Sequence, residues 1–174
     1  VVMGMCPYHT FKNDAPVADG LLMGCSVTEQ IQPSLAQCYG AMEREFYDGL
    51  NLSIIKNPDV SFIAHQGVLM LNAALTTEMN KAGSHMEIWE PFIKYLFEEI
   101  INHLGVPIVF LGKDAARYKK YTGIFTHVFE VSHPASASYK GIDWDTEGVF
   151  TKVNRLLEEN NGFSVQWVDI DVPF

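Results

Sequence analysis

The chain has 174 residues, a length that fits one domain with a core of its own. Hydrophobic residues make up 48% and charged residues 19%, which is typical of a globular protein and excludes a disordered one. The formal net charge of −9 argues against a basic coat for nucleic acid, although a local phosphate-binding face is compatible with it. No apolar run approaches the ~20 residues that span a bilayer, so no membrane partner is expected.

The cysteine pattern bears on compartment and on metal binding. The three cysteines, Cys6, Cys25 and Cys38, cannot all pair with one another, and their spacing matches no zinc-binding pattern. Free thiols are typical of reducing compartments, so an intracellular location, cytoplasmic or nuclear, is expected. Neither a metal site nor a cofactor is predicted.

Short apolar runs alternate along the chain with longer segments of helical periodicity. The predicted strands are 1–5, 68–71, 106–111 and 126–131. The predicted helices are 35–47, 88–103, the short 114–120 and 146–159. Ser34 is expected to cap the first of these helices, and Asp145 or Thr146 the last. This alternation predicts an α/β fold of three layers, α/β/α, around a central four-stranded, mainly parallel sheet.

Two groups of aromatic residues are assigned to structure rather than to chemistry. Trp89, Phe92 and Phe97 fall within helix 88–103 and are predicted to lie in the core. The aromatic tail from Trp167 to Phe174 is predicted to add an edge strand or to dock the terminus on the domain.

Each predicted strand is followed by a polar or glycine-containing segment: 6–10, 72–76, 112–113 and 132–138. Ligands of parallel sheets bind at the carboxyl ends of the strands, so these segments should converge on one rim. They would bring together a thiol, imidazoles, an amide and several hydroxyls. An amide can read a donor–acceptor edge, and small hydroxyl residues suit phosphate oxygens. The rim therefore predicts a pocket for a flat polar heterocycle joined to a phosphate chain.

Three segments of this rim resemble the signature motifs of family-1 uracil-DNA glycosylases. MCPYH, GVLMLNAALT and HPASAS stand where that family reads GQDPYHG, GVLLLN-x-x-LT and HPSPLS. The segments QPSL and PIVFLGKDA, and Ser84-His85 followed by Trp89, resemble further stretches between the motifs. The resemblance runs from Val1 to about Phe150. It implies one uracil-DNA glycosylase-like domain over 1–174, without the helical portion that the family carries before its first strand.

The resemblance implies roles for the residues that match the motifs. Asn72 would hydrogen-bond the edge of a uracil flipped out of DNA, and Tyr8 would pack on its C5 carbon and exclude the methyl group of thymine. His133 would stabilise charge on the base oxygen as the glycosidic bond breaks. His9 would have a structural role or orient the attacking water. The other residues expected at the base are Met5, Met23 and Cys25, and those expected at DNA phosphates are Ser34, Lys113, Ser136 and Ser138.

The sequence departs from the family pattern where the chemistry takes place. Cys6 stands at the position of the aspartate that orients the attacking water and balances the cationic sugar, and a neutral thiol does neither. Ala137 stands where a leucine fills the hole left by the flipped base, in a loop that is one residue shorter. The phenylalanine that stacks on uracil has no clear equivalent other than Met23 or Cys25. We therefore expect slowed excision and DNA that is single-stranded or has a weakly stacked target base.

Three functions stay open on the sequence alone. The first is a base-flipping enzyme that cleaves the N-glycosidic bond of uracil or a related, 5-modified pyrimidine in DNA, with weakened catalysis. The second is an enzyme in which Cys6 attacks a flipped pyrimidine and changes its C5 substituent, which requires a depressed thiol pKa; Tyr8 would crowd such a substituent. The third is an inactive DNA-binding or processivity-type subunit, whose protein partner would supply DNA affinity.

Overall fold

The computed structural model describes residues 1–50 and 52–171. Its strands are β1 (Val2–Gly4), β2 (Phe11–Lys12), β3 (Ala15–Pro16), β4 (Ser53–Ile55), β5 (Met70–Asn72), β6 (Ile108–Leu111), β7 (Val128–Val131) and β8 (Asp169–Asp171). Its helices are α1 (Pro33–Tyr47), α2 (Ser61–Ala64), α3 (Met86–Glu99), α4 (Lys113–Ala116), α5 (Pro134–Lys140) and α6 (Val149–Asn161). No helix of the described chain combines the length and the hydropathy that crossing a bilayer requires.

The central sheet has four strands in the order β5-β1-β6-β7, and all three neighbouring pairs are parallel. The register aligns the carboxyl ends of the strands, since Gly4 pairs with Asn72 and Leu111 pairs with Val131. The predicted four-stranded parallel sheet is therefore confirmed. The segments that follow its strands emerge at one edge.

Helices cover both faces of this sheet, which confirms the three-layer α/β/α fold. Strand β6 is buried along its whole length, and its side chains alternate between the two faces. Val109 and Leu111 belong to one core, which includes residues of α1 and α6, whereas Ile108 and Phe110 belong to the other, which includes residues of α3. This double burial explains why the strand reads as an unbroken apolar run.

The predicted N-caps of two helices are wrong, and local backbone chemistry explains both. Helix α1 begins at Pro33 with Gln32 as its N-cap, so Ser34 lies inside the first turn. Proline suits this position because its φ is preset and it has no N–H to leave unsatisfied. Helix α6 begins at Val149 instead of 146, because Glu147 and Gly148 both have positive φ, at 54° and 71°. A helix cannot run through such residues.

The predicted core assignment of the aromatic residues on α3 holds in part. Phe97 is fully buried, and Trp89 is partly buried against the same core. Phe92 is 43% exposed, so its assignment to the core is wrong. It packs edge-to-face on Trp89 at a centroid distance of 5.8 Å on the outer side of the helix.

The aromatic tail is tied to the domain by pairing and burial. Trp167 is buried and packs against Phe150 of α6, with the ring centroids 4.9 Å apart and the ring planes tilted by 55°. Strand β8 pairs with β4 in a separate antiparallel two-stranded sheet, and not with the central sheet. Phe174, the last residue of the predicted tail, lies outside the described residues.

Candidate functional site

A cavity of about 480 Å³ opens at the carboxyl end of β1. Segments from five parts of the chain form its walls: the residues after β1, the loop 21–23, the start of α1, Ala82 and the turn into α5. Its lining carries no Asp, Glu, Lys or Arg side chain, so it presents a neutral surface with a few polar groups. The predicted site residues that line it are Met5, Cys6, Tyr8, His9, Met23, Ser34, His133 and Ser138.

Four predicted site residues do not line this cavity. Lys113 and Ser136 are exposed and line a neighbouring cavity of about 740 Å³. Cys25 is fully buried in the core, where its backbone N–H donates to the carbonyl oxygen of Pro58, so it presents no surface to a base. Asn72 lies behind the cavity wall.

Asn72 ends β5 with its amide buried at the sheet edge. The residue is 6% exposed, and its Oδ1 has no hydrogen-bonding partner among the described residues. A Cβ on Gly4 would lie 3.2 Å from this oxygen and 2.4 Å from Cδ1 of Leu22. Leu22 lines the cavity, so Leu22 and Asn72 lie close together over Gly4. The amide oxygen of Asn72 therefore lies next to a residue of the cavity lining.

His133 has a geometry that fixes its tautomer. It is the N-cap of α5, and its Nδ1 accepts a hydrogen bond of 3.1 Å from the N–H of Ala135. An accepting Nδ1 carries no proton, so the proton of the neutral ring is on Nε2. Burial lowers the pKa of His133 below its ordinary value, an effect that the nearby carboxylate of Asp114 opposes. At neutral pH the ring is a neutral donor through Nε2.

Gly112 allows His133 to take this position. Its φ is +87°, and a Cβ there would lie 2.9 Å from Cβ of His133. The backbone at residue 112, with ψ at 164°, is in a region that essentially only glycine adopts. Glycine is therefore required at position 112 for two reasons: the backbone conformation there and the close approach of the His133 side chain.

The variant Gly112→Ala should lose about 1–3 kcal/mol of stability and move the imidazole of His133, because the new methyl group would lie 2.9 Å from Cβ of His133 on a strained backbone. Chemical denaturation and the ¹⁵N NMR signals of the imidazole would measure both effects. Gly105→Ala is the matched control, since Gly105 also has positive φ but would meet nothing within 4 Å. Equal imidazole signals in the two variants would contradict this account of Gly112.

Cys6 lines the cavity as a protonated thiol. Its Sγ accepts a hydrogen bond of 3.2 Å from the N–H of Gly83. Burial raises the pKa of the thiol; the hydrogen bond from Gly83 lowers it in part, and Asp114 adds to the rise. The thiol therefore stays neutral at physiological pH, and the position offers neither a carboxylate nor an abundant thiolate.

Tyr8 and Ser34 form a hydrogen-bonded pair on one wall of the cavity. Their hydroxyl oxygens are 2.7 Å apart, and burial raises the pKa of the Tyr8 phenol, which stays protonated. The hydroxyl of Ser34 is buried and engaged with Tyr8, so it is not a free group at the surface. The pair fixes the plane of the tyrosine ring at the cavity.

His9 contributes a second imidazole to the lining. Its Nδ1 is buried and has no hydrogen-bonding partner in the described part of the chain. Its carbonyl oxygen accepts a hydrogen bond of 2.9 Å from the N–H of Asn80, which fixes the backbone there. His9 thus brings a buried, unpartnered ring nitrogen to the wall of the cavity.

Sequence reasoning missed three residues at this site. Leu22 lies beside the amide of Asn72, Asp114 acts electrostatically on both Cys6 and His133, and Tyr139 stands at the cavity mouth with 91% of its surface exposed. The position of Asp114 directly after Gly112-Lys113 was the available signal, since that turn follows a strand of the sheet. Nothing in the sequence pattern distinguishes Leu22 from an ordinary core residue.

Comparisons with known proteins agree with this geometry. A family model described as the uracil DNA glycosylase superfamily matches residues 16–158. The uracil-DNA glycosylase of Streptococcus pneumoniae is 34% identical over 173 residues, which cover 97% of this chain and 74% of that protein. The uracil-DNA glycosylase of Pseudomonas paraeruginosa is 33% identical over 172 residues, which cover 96% of this chain and 70% of that protein.

A solved structure supports the same fold. The crystal structure of mimivirus uracil-DNA glycosylase superposes with a TM-score of 0.73 at 22% identity, over 95% of this chain and 66% of that one. The family match spans most of the chain, and the relatives align over nearly all of it. This chain belongs to the uracil-DNA glycosylase superfamily.

Proposed function

We propose that this protein binds a uracil or a related pyrimidine flipped out of DNA and cleaves its N-glycosidic bond. The observation that carries the proposal is the buried Oδ1 of Asn72, which has no partner among the described residues. Burying an unsatisfied acceptor costs about 1–3 kcal/mol. The imide N–H of uracil, which lies between two carbonyl groups, is a donor that would satisfy it. Relatives that are uracil-DNA glycosylases support the same assignment.

His133 is suited to the bond-breaking step. When the bond between N1 of the base and C1′ of the sugar breaks, its electron pair stays on the base and charge develops on the O2 oxygen. A neutral imidazole with its proton on Nε2 can donate a hydrogen bond to that oxygen. Such a preorganised donor acts mainly on the transition state. The bond from Ala135 keeps the ring in the required tautomer.

The water-adding step is the one that this chain supports least well. Water must add to C1′ and lose a proton, and the thiol of Cys6, whose pKa is raised, is a poor acceptor for it. The unpartnered Nδ1 of His9 is an imidazole nitrogen in the lining that could accept a hydrogen bond from this water. We therefore propose that His9 orients the water and that excision is slow.

The residues around the cavity mouth favour DNA whose target base is already unstacked. Ala137, at the position of the family's wedge, is 5% exposed and packed within α5, so it cannot fill a gap in a duplex. Ser138 lines the cavity, and Ser136 and Lys113 lie on the exposed rim beside it, where they could contact phosphate oxygens. We propose single-stranded DNA as the preferred substrate.

The test uses single-stranded oligonucleotides that contain uracil, 5-hydroxymethyluracil or thymine, with abasic sites and fluorescence anisotropy as the two readouts. We expect abasic sites from uracil. Asn72→Ala should weaken binding of the uracil oligonucleotide by about ten- to a hundred-fold, the equivalent of one lost buried hydrogen bond. Asn161→Ala, at the exposed end of α6, is the control. No abasic product, together with unchanged binding by Asn72→Ala, would overturn the proposal.

The raised pKa of Cys6 weighs against the hypothesis that this residue is a nucleophile. Thiol addition to a pyrimidine needs the thiolate, and the environment of Cys6 disfavours it. Tyr8, held in place by Ser34, would also crowd a 5-substituent. The neutral thiol of Cys6 also fits an inactive binding subunit, and the formation of abasic sites separates that function from the enzyme.

A further inference from the structure

Helix α3 is apolar on two faces, and only one of them packs within the chain. Its inner face, with Ile93 and Phe97 fully buried, belongs to one of the two cores. Its outer face carries Ile88, Phe92 and Tyr95, whose exposed fractions are 69%, 43% and 59%. Surface helices normally present polar residues on that side. The second apolar face therefore indicates a contact outside the single chain.

The three exposed side chains form one stripe, which we call the α3 stripe. Ile88 lies four residues before Phe92, and Tyr95 lies three residues after it, so all three are on one side of the helix. The ring of Phe92 packs edge-to-face on Trp89, whose Nε1 donates a hydrogen bond of 2.8 Å to Oγ1 of Thr76. The centre of the stripe is therefore held in place before any partner binds.

The α3 stripe is complementary to itself when two copies of the helix run antiparallel. A two-fold axis beside Phe92 places this ring against Phe92 of the second copy. Ile88 then lies against Tyr95 of the second copy, because the two residues are at nearly equal distances on either side of the axis. Each apolar side chain of the stripe meets another apolar side chain in this arrangement.

The charged residues beside the stripe fit the same arrangement. Glu87 and Lys94 are seven residues apart on one flank of α3, and antiparallel two-fold pairing brings equal flanks together. Glu87 of each copy therefore lies near Lys94 of the other. Within the chain, Lys94 makes an exposed contact of 3.9 Å with Glu98, which is a weak competitor. Glu99, at the end of the stripe, would lie beside the first turn of the second copy's α3, whose free N–H groups favour a carboxylate.

We propose that the α3 stripe binds a second copy of this chain and forms a two-fold symmetric dimer through antiparallel α3 helices. The helix has 14 residues and is therefore about 21 Å long. One helix pair of this length is smaller than the standard interface of about 800 Å² per partner, so the dimer should be weak and reversible. No residue of α3 lines the cavity of the candidate site, so the inference is independent of the proposed function.

The first test measures the oligomeric state of the full chain by sedimentation equilibrium over a series of protein concentrations. The unmodified protein should show a monomer–dimer equilibrium. Phe92→Glu should raise the Kd at least about tenfold, because two carboxylates would then meet at the axis in place of two rings. Phe163→Glu is the matched control and should leave the Kd unchanged. Phe163 is 46% exposed and follows α6, which packs on the other core.

A charge exchange tests the antiparallel direction. Glu87→Lys and Lys94→Glu should each raise the Kd by about two- to ten-fold, because each variant sets like charges together at two places in the dimer. The double variant, Glu87→Lys with Lys94→Glu, should return the Kd to within twofold of the unmodified value. Both ion pairs form again in it with their charges exchanged.

A chain that stays monomeric at every concentration would overturn the proposal and leave the α3 stripe to a different protein. A dimer that persists in Phe92→Glu, or one that is lost equally in Phe163→Glu, would overturn it as well, because neither result depends on α3. A double charge variant that fails to restore the dimer would overturn the antiparallel arrangement. Circular dichroism should show every variant folded, because all the replaced side chains are exposed.

Discussion

Replacing Cys6 with aspartate should raise the rate of uracil excision by about a hundred- to a thousand-fold. One well-placed electrostatic group contributes roughly 2.7–4 kcal/mol to a transition state of this kind. The carboxylate would accept the proton of the attacking water and balance the positive charge on the sugar, neither of which the protonated thiol does. The measurement is the single-turnover rate of abasic-site formation on a uracil-containing single strand.

Two further variants at the same position control this experiment. Cys6→Asn has nearly the shape of aspartate without its charge and should give no gain. Cys6→Ala should keep the native rate within a few-fold, because the thiol is assigned no chemical step. A complete loss of the native activity in Cys6→Ala, with no gain in Cys6→Asp, would overturn this account and restore the nucleophile hypothesis.

Replacing His133 with glutamine should lower the excision rate by about a hundred- to a thousand-fold, while substrate binding changes little. The donor acts on charge that develops as the bond breaks, so its loss falls on the transition state and not on the bound base. Rates at saturating substrate and binding by anisotropy separate the two effects. A variant that binds weakly and turns over at the native rate when saturated would contradict this role.

The same variant tests the protonation state of His133 in the folded protein. Burial lowers the pKa of the folded protein's imidazole below the ordinary value of ~6.5, so between those two pKa values the unfolded chain binds the additional proton. The stability that the neutral imidazole contributes is therefore fully present above the pKa of the unfolded chain. It is lost as the pH falls through the pKa of the folded protein. The unmodified protein should lose stability over this window relative to His133→Gln, by at most about 1.4 kcal/mol for each pH unit. Urea unfolding at several pH values measures this difference. If the free energy of unfolding depends on pH in the same way in the unmodified protein and in His133→Gln, the lowered pKa of His133 is contradicted.

The sequence predicts the sheet because a strand that is buried on both faces consists of apolar residues. Strand β6 is covered on both faces and therefore consists of apolar residues alone, and the segments after the strands carry the polar groups. The start of α1 could not be read in the same way, since Pro33 and Ser34 are both good residues for a helix start. The hydroxyl of Ser34 is turned inward by its contact with Tyr8, which is distant in sequence.

The candidate site was predicted where a motif follows a strand and was missed where position depends on packing. Cys6, Tyr8, His9 and His133 reach one cavity because they directly follow β1 and β7. Cys25 and Leu22 are both apolar residues of one loop, and nothing local tells which of them faces the cavity. Tyr139 stays exposed because α5 turns Ala137 inward, which is a property of the folded helix.

The buried amide oxygen at the end of β5 changes how selectivity among bases arises. The free protein already carries the cost of an acceptor shut away from water. A base that brings a donor to that point relieves the cost, whereas cytosine would set the lone pair of its ring nitrogen against the oxygen and add repulsion. Uracil would then be preferred to cytosine because it satisfies the buried oxygen of Asn72, whereas cytosine leaves this oxygen unsatisfied and repels it.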